Sequence, residues 1–115
     1  MLEGMFYKGQ LLAWGLTLAV EGGVAALLAR EFGLKPWRAA MAAVLGSLLS
    51  HPFVWWMFFQ LHDSIGYWPT FVVAETFAVL VEAPFYRLAG ASWSNAVTIS
   101  FLVNAASVIV GFVVL

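Results

Sequence analysis

Four long apolar runs follow one another along the chain, separated by three short polar interruptions. The first covers residues 10–29. Arg30, Glu31, Gly33 and Lys35 then supply charges and a helix breaker, and Pro36, suited to a first helical turn, restarts the pattern. The second run covers 37–59, and the polar group Gln60, His62, Asp63, Ser64 and Gly66 reads as the turn after it. The third, 67–87, follows directly, and Gly90 and Ser92 separate it from the fourth, 93–115. A helix needs about 20 mostly apolar residues to cross the hydrocarbon core of a bilayer, and each run has that length. The pattern predicts an all-α fold: a polytopic membrane protein, a four-transmembrane-helix bundle forming one domain over residues 1–115.

Composition strengthens this reading. The chain is 63% hydrophobic and 10% charged, with a mean hydropathy of +0.94, whereas about a quarter of the residues of a soluble domain are charged. Four crossings and three connections leave no stretch for a soluble domain. Glu3 and a lone Lys8 make a poor leader for a cleaved signal, so the first run is expected to be a retained helix. The net charge of −1 and the scattered basic residues exclude a nucleic-acid surface. Without cysteine there is no disulfide framework, thiolate metal site or thiol nucleophile.

Basic residues also set an expected orientation. Arg30, Lys35 and Arg38 lie in or beside the first connection and Arg87 ends the third run, against Lys8 alone on the other side. The positive-inside rule then puts both termini outside and the first and third connections in the cytoplasm, as in a multi-pass protein of a cell membrane, here a bacterial inner membrane. Aromatic residues fit these borders as interfacial anchors, with Phe6, Tyr7, Trp55, Trp56, Tyr67 and Trp68 outside and Trp37, Tyr86 and Trp93 inside. Trp55 and Trp56 have a second reading, as a stacking site for a pigment or flat ligand. Rows of small residues, among them Gly22 with Ala26, Ala39 with Ala43, Ala42 with Gly46 and Ser50, and Ser107 with Gly111, allow close helix approach within a bundle or across a dimer.

The candidate chemistry is polar and at mid-depth. Charged groups in hydrocarbon cost about 2.5–3.5 kcal/mol each and usually face a bundle interior. Three acids, Glu21, Glu75 and Glu82, fall inside the runs, and no Lys or Arg accompanies them there. At 1.5 Å per residue, Glu21, His51, Glu75 and Asn104 all lie roughly 12–16 Å from the nearest outer helix end, one on each helix, with Glu82 about 10 Å deeper. Ser47 shares the face of His51, and Ser100 and Ser107 share that of Asn104; Ser50 adjoins His51. Pro52 and Pro84 release the carbonyls of Leu48 and Leu80, potential partners for a cation or water. A Val-Glu-small triplet recurs at Val20-Glu21-Gly22 and Val81-Glu82-Ala83, and Ser47 precedes His51 as Ser100 precedes Asn104, a pattern suggesting a duplicated hairpin.

Protons, a bound cation or a partner subunit must meet the charge of these acids. The leading expectation is a small permease or channel-like protein moving a cation, metal ion or proton, a homodimer in the lipid bilayer or one joined by partner membrane subunits. Glu21, His51, Glu75, Glu82 and Asn104 would carry the ion, supported by Ser47, Ser50, Ser100 and Ser107, and a divalent metal would take His51, Glu21 and Glu75. Two rival classes remain open. One is an accessory subunit whose acids meet partner helices; the other is a bundle in which His51 ligates a metal, haem or pigment. Each acid also has a purely structural reading, protonated and bonded to Asn104, Thr17 or Thr76. No nucleophile–base motif or phosphate-binding loop argues for an enzyme.

Overall fold

The computed structural model describes the backbone of residues 2–114 and the side chains of Gly9 and of residues 11–114. The interfacial positions expected of Phe6 and Tyr7, the side chain of Lys8, and Leu115 lie outside what is described. The described residues form four α-helices, α1 (Leu2–Leu28), α2 (Pro36–Ile65), α3 (Tyr67–Ala89) and α4 (Trp93–Val114), with a short 3-10 turn, Ala29–Phe32, after α1.

Local chemistry explains each break. After the 3-10 turn, Gly33 takes a left-handed conformation (φ 74°), which costs glycine nothing, and Lys35 is extended (φ −74°, ψ 138°), as a residue before proline must be. Pro36 then opens α2. Between α2 and α3 a single residue, Gly66 (φ 87°), makes the whole connection. Gln60, His62, Asp63 and Ser64 therefore belong to α2 and not to a turn, a correction with a simple cause. None of them prevents helical hydrogen bonding, and their polarity marks the end of the apolar layer, not the end of the helix. For the same reason α1 starts near Leu2 instead of residue 10. Ser92 accepts a hydrogen bond at 3.2 Å from the backbone N–H of Asn95 and so caps α4.

Each helix packs against its sequence neighbours, and α4 closes the ring against α1. Short connections make this an up-down-up-down arrangement, 45 × 25 × 22 Å overall. Among the described residues three segments are long and apolar enough to cross a membrane: Leu11–Phe32, Pro36–Ile65 and Trp93–Val114. Helix α3 is not one of them, because Glu75, Glu82 and Arg87 all fall within it.

Polarity is inverted relative to a water-soluble bundle. The interior is built from Ala25, Ala29, Ala39, Ala43, Ala74, Ala78 and Ala96 together with buried Glu21, Ser47, Ser50, Glu82, Ser100 and Asn104. The large apolar side chains point outwards, as with Leu27 and Leu88, both 84% exposed. A soluble protein would lose heavily by exposing so much apolar surface, whereas small residues inside let helices approach closely where water is not the solvent.

Two sequence expectations fail at this level. Tyr86 is no interfacial anchor: it is fully buried, the largest side chain of the core, because it continues the inward row Thr70, Ala74, Ala78, Glu82 at four-residue spacing. Pro52 and Pro84 lie on the exposed face with Leu48 and Leu80, so the carbonyls they release are not beside the acids. One helical position, about 100°, separates Pro52 from His51 and is enough to turn it outwards.

Candidate functional site

Two serines three residues apart on α2 organise the centre of the bundle. Ser47 Oγ donates to Glu21 Oε1 of α1 at 3.0 Å, and Ser50 Oγ donates to Glu82 Oε2 of α3 at 3.0 Å. The i, i+3 spacing puts both hydroxyls on one helix face, turned towards two different neighbours. Both glutamates are buried, Glu21 at 2% exposure and Glu82 at 1%. Their carboxyls meet across the bundle axis, so the two Val-Glu-small triplets face one another. Asn104 of α4 adjoins Glu82 and donates from Nδ2 to the Ser100 carbonyl at 2.9 Å. All four helices thus contribute to one polar knot.

A cavity of about 140 Å³ lies in this knot. Glu21, Glu75, Glu82, His51 and Asn104 line it, with Ser47, Ser50, Ser107 and Thr17. At about 30 Å³ per molecule it has room for four or so waters. Among the described residues no Lys or Arg reaches it. Glu82 Oε1 is buried without a hydrogen-bond partner among the described residues. Two carboxylates in contact repel, and with no basic neighbour a proton or a cation must accompany them.

Three predicted residues are placed differently. Ser100 is not in the cavity lining; its hydroxyl donates to the Val79 carbonyl at 2.8 Å and ties α4 to α3. His51 is held by two tryptophans: Nε2 accepts from Trp55 Nε1 at 2.6 Å, and the ring stacks on Trp14 with centroids 5.7 Å apart and planes 4° apart. The indole N–H can only donate, so Nε2 carries no proton and His51 is the neutral Nδ1–H tautomer. With Nε2 engaged by Trp55, only Nδ1 of His51 is left for any ligand role beside Glu21 and Glu75. Among the described residues no three His, Asp or Glu side chains converge as metal ligands. Thr76, once a candidate partner for an acid, instead bonds the Val72 carbonyl on the exposed face at 2.7 Å.

Above the chamber, towards the Gly66 end, a wide cleft of about 960 Å³ opens between all four helices. Aromatic side chains dominate its walls, Trp55, Phe58 and Phe59 from α2, Tyr67 and Phe71 from α3 and Phe112 from α4. His62 and Asp63 lie at its mouth, 3.3 Å apart. His51 and Glu75 border both cleft and chamber, so the two adjoin. At the opposite end the packing is tight. There Gly46 packs so closely on Glu82 that a Cβ would sit 2.8 Å from the Glu82 Cγ, and the alanine core with Tyr86 fills the space beyond.

Sequence reasoning missed Trp14 and Tyr86 as neighbours of the site. Both carried a signal: Trp14 stands seven residues before Glu21 and Tyr86 four after Glu82, each on the face of its acid. Trp55 and Trp56 diverge, Trp55 towards His51 and Trp56 outwards at 58% exposure, so the pair does not form a single stacking site.

Comparison of the chain with known protein families, known proteins and solved structures finds no match. Fold and site define an all-helical protein of four helices, three of them fit to span a membrane, around a buried acidic chamber.

Proposed function

We propose that the chain crosses a cell membrane four times and passes protons or a cation through its acidic chamber. The observation that carries this reading is the chamber itself: three carboxyls without a basic partner, below a cleft that opens at one end of the bundle. Buried acids of this kind cost too much to serve as ordinary packing and commonly mark ion pathways. In this reading α3 completes the bundle as the fourth crossing, its acids sheltered by the other three helices. The 45 Å long axis matches a bilayer with its headgroups, about 40–45 Å. Arg30, Lys35, Arg38 and Arg87 gather at one end and face the cytoplasm, as in a bacterial inner membrane, and the cleft faces outside.

An ion enters past Asp63, reaches Glu75 beside His51, and is handed to Glu21 and Glu82, where Ser47 and Ser50 hold the carboxyls in place. Release to the inside requires α2 and α3 to part at Gly46 and Glu82, so transport alternates between two arrangements. Proton flux into liposomes, read with an internal pH dye under an imposed potential, tests the proposal. Wild-type protein should exceed protein-free liposomes, and Glu21→Gln and Glu82→Gln should each fall to background with unchanged elution in detergent. Wild-type flux in both variants would sink it.

One observation favours a second reading, an accessory subunit. A groove of about 470 Å³ between α3 and α4 is nearly all apolar and reaches Glu75 and Asn104 at its floor, a seat for a helix of another subunit or of a second copy. Stoichiometric co-purification of another membrane protein, with loss of assembly in the Glu75→Gln variant, would favour it over transport.

A further inference from the structure

We infer that the cation taken up from the cleft is a bulky lipophilic organic monocation, an aromatic phosphonium or quaternary ammonium, with its charge at Glu75. This rests on the transport reading and names the substrate class of that site.

Size separates the two spaces. The chamber, about 140 Å³, holds an ion or a few waters, whereas the cleft, about 960 Å³, falls in the range of about 300–1,000 Å³ that houses drug-sized molecules. A bulky solute can therefore fill the cleft but not pass Glu75 in this arrangement. The walls set the chemistry. A hydrated metal ion needs six or more oxygen ligands, and this lining offers rings and aliphatic groups instead. Aromatic faces attract organic cations through their quadrupoles. The tyrosine and phenylalanine rings are already mutually arranged, Phe58 with Tyr67 at 5.7 Å and Phe71 with Phe112 at 6.1 Å between centroids, so little ordering is required on binding.

Charge gives the sign. Among the described residues the lining carries Asp63 beside His62 at the mouth and Glu75 at the floor, and no Lys or Arg. His51 contributes no positive charge, because its Nε2 accepts the Trp55 hydrogen bond. About 18 Å of helix separates Asp63 from His51, long enough for a bulky cation to lie along the rings with its charge at the bottom.

Titration of tetraphenylphosphonium into the detergent-purified full chain, followed by tryptophan fluorescence and calorimetry, tests the inference. Saturable binding is expected, with triphenylphosphine oxide, a neutral analogue of similar shape, binding about tenfold more weakly. Glu75→Gln should lose about tenfold in affinity while Glu75→Asp retains most of it. Asp63 is 97% exposed, so Asp63→Asn leaves the fold intact, and it should weaken binding about twofold at low salt. Equal affinity for the neutral analogue, or unchanged affinity in Glu75→Gln, would overturn the inference. Proton flux without phosphonium binding would overturn it and spare the transport reading, whereas loss of both would remove the two together.

Discussion

Gly46 is where the bundle is tightest, and replacing it with alanine asks how much the approach of α2 to α3 matters. A Cβ there would lie 2.8 Å from Glu82 Cγ, 3.1 Å from its Cβ and 3.3 Å from its Cα. Comfortable carbon–carbon contact begins at about 3.5 Å, so the crossing must open by roughly half an ångström. Because the Cα belongs to the backbone, a rotamer change in Glu82 cannot absorb the clash. Overpacking of this kind costs about 1–3 kcal/mol. Against it stands the general gain from replacing a mid-helix glycine by alanine, about 1 kcal/mol. Gly23→Ala provides the reference, since a Cβ at Gly23 meets nothing within 4 Å and gives the helical gain alone. The difference between the two variants isolates the clash, about 1–3 kcal/mol against Gly46→Ala. Thermal unfolding in one detergent, followed by near-ultraviolet circular dichroism, reads it as a lower midpoint for Gly46→Ala than for Gly23→Ala. If the two midpoints coincide, or Gly46→Ala is higher, the close packing that shuts the chamber is not a feature of the protein.

Two further predictions use the same preparation. The Tyr86 hydroxyl is buried without a hydrogen-bond partner among the described residues, so Tyr86→Phe should leave the unfolding midpoint unchanged or raise it, while Tyr86→Ala should cost about 3–5 kcal/mol for the lost ring; a clearly lower midpoint for Tyr86→Phe would mean that the hydroxyl has a partner. The chain has no cysteine, so single cysteines at exposed Glu31 and Ser64 report orientation without background. In intact cells a membrane-impermeant maleimide should label Ser64→Cys and reach Glu31→Cys only after permeabilisation, and the reverse pattern would invert the proposed topology.

The helices were legible because apolar runs of spanning length leave few alternatives, but their ends were read too early wherever polar residues appeared. Gln60 to Ser64 look like a turn only if polarity and helix breaking are treated as one property. The backbone leaves the helical conformation only at Gly66, with φ 87° and ψ 172°. At the site, the pattern of one polar residue per helix led to Glu21, His51, Glu75 and Asn104, and counting residues placed Glu82 about 10 Å deeper. Despite that count, Glu82 lines the same cavity as Glu21, His51, Glu75 and Asn104. The role of His51 was unreadable for a different reason: its partners Trp14 and Trp55 come from two helices, and Trp14 lies far from it in sequence. Tyr86 was misplaced by habit of residue type, since tyrosine near a helix end suggests a membrane border, although its spacing from Glu82 already pointed inwards.

The one-residue link at Gly66 bears on how such a chain is made. Taken singly, α3 is a poor candidate to leave the translocation machinery for lipid, burdened as it is with two glutamates and an arginine. Joined to α2 by a single glycine, it has no freedom to remain behind when α2 enters. In the proposed four-crossing reading the pair is delivered as one hairpin, with Ser50 opposite Glu82, so that this buried carboxyl reaches the bilayer with its donor beside it. On that reading, membrane insertion and the assembly of the acidic chamber become the same event.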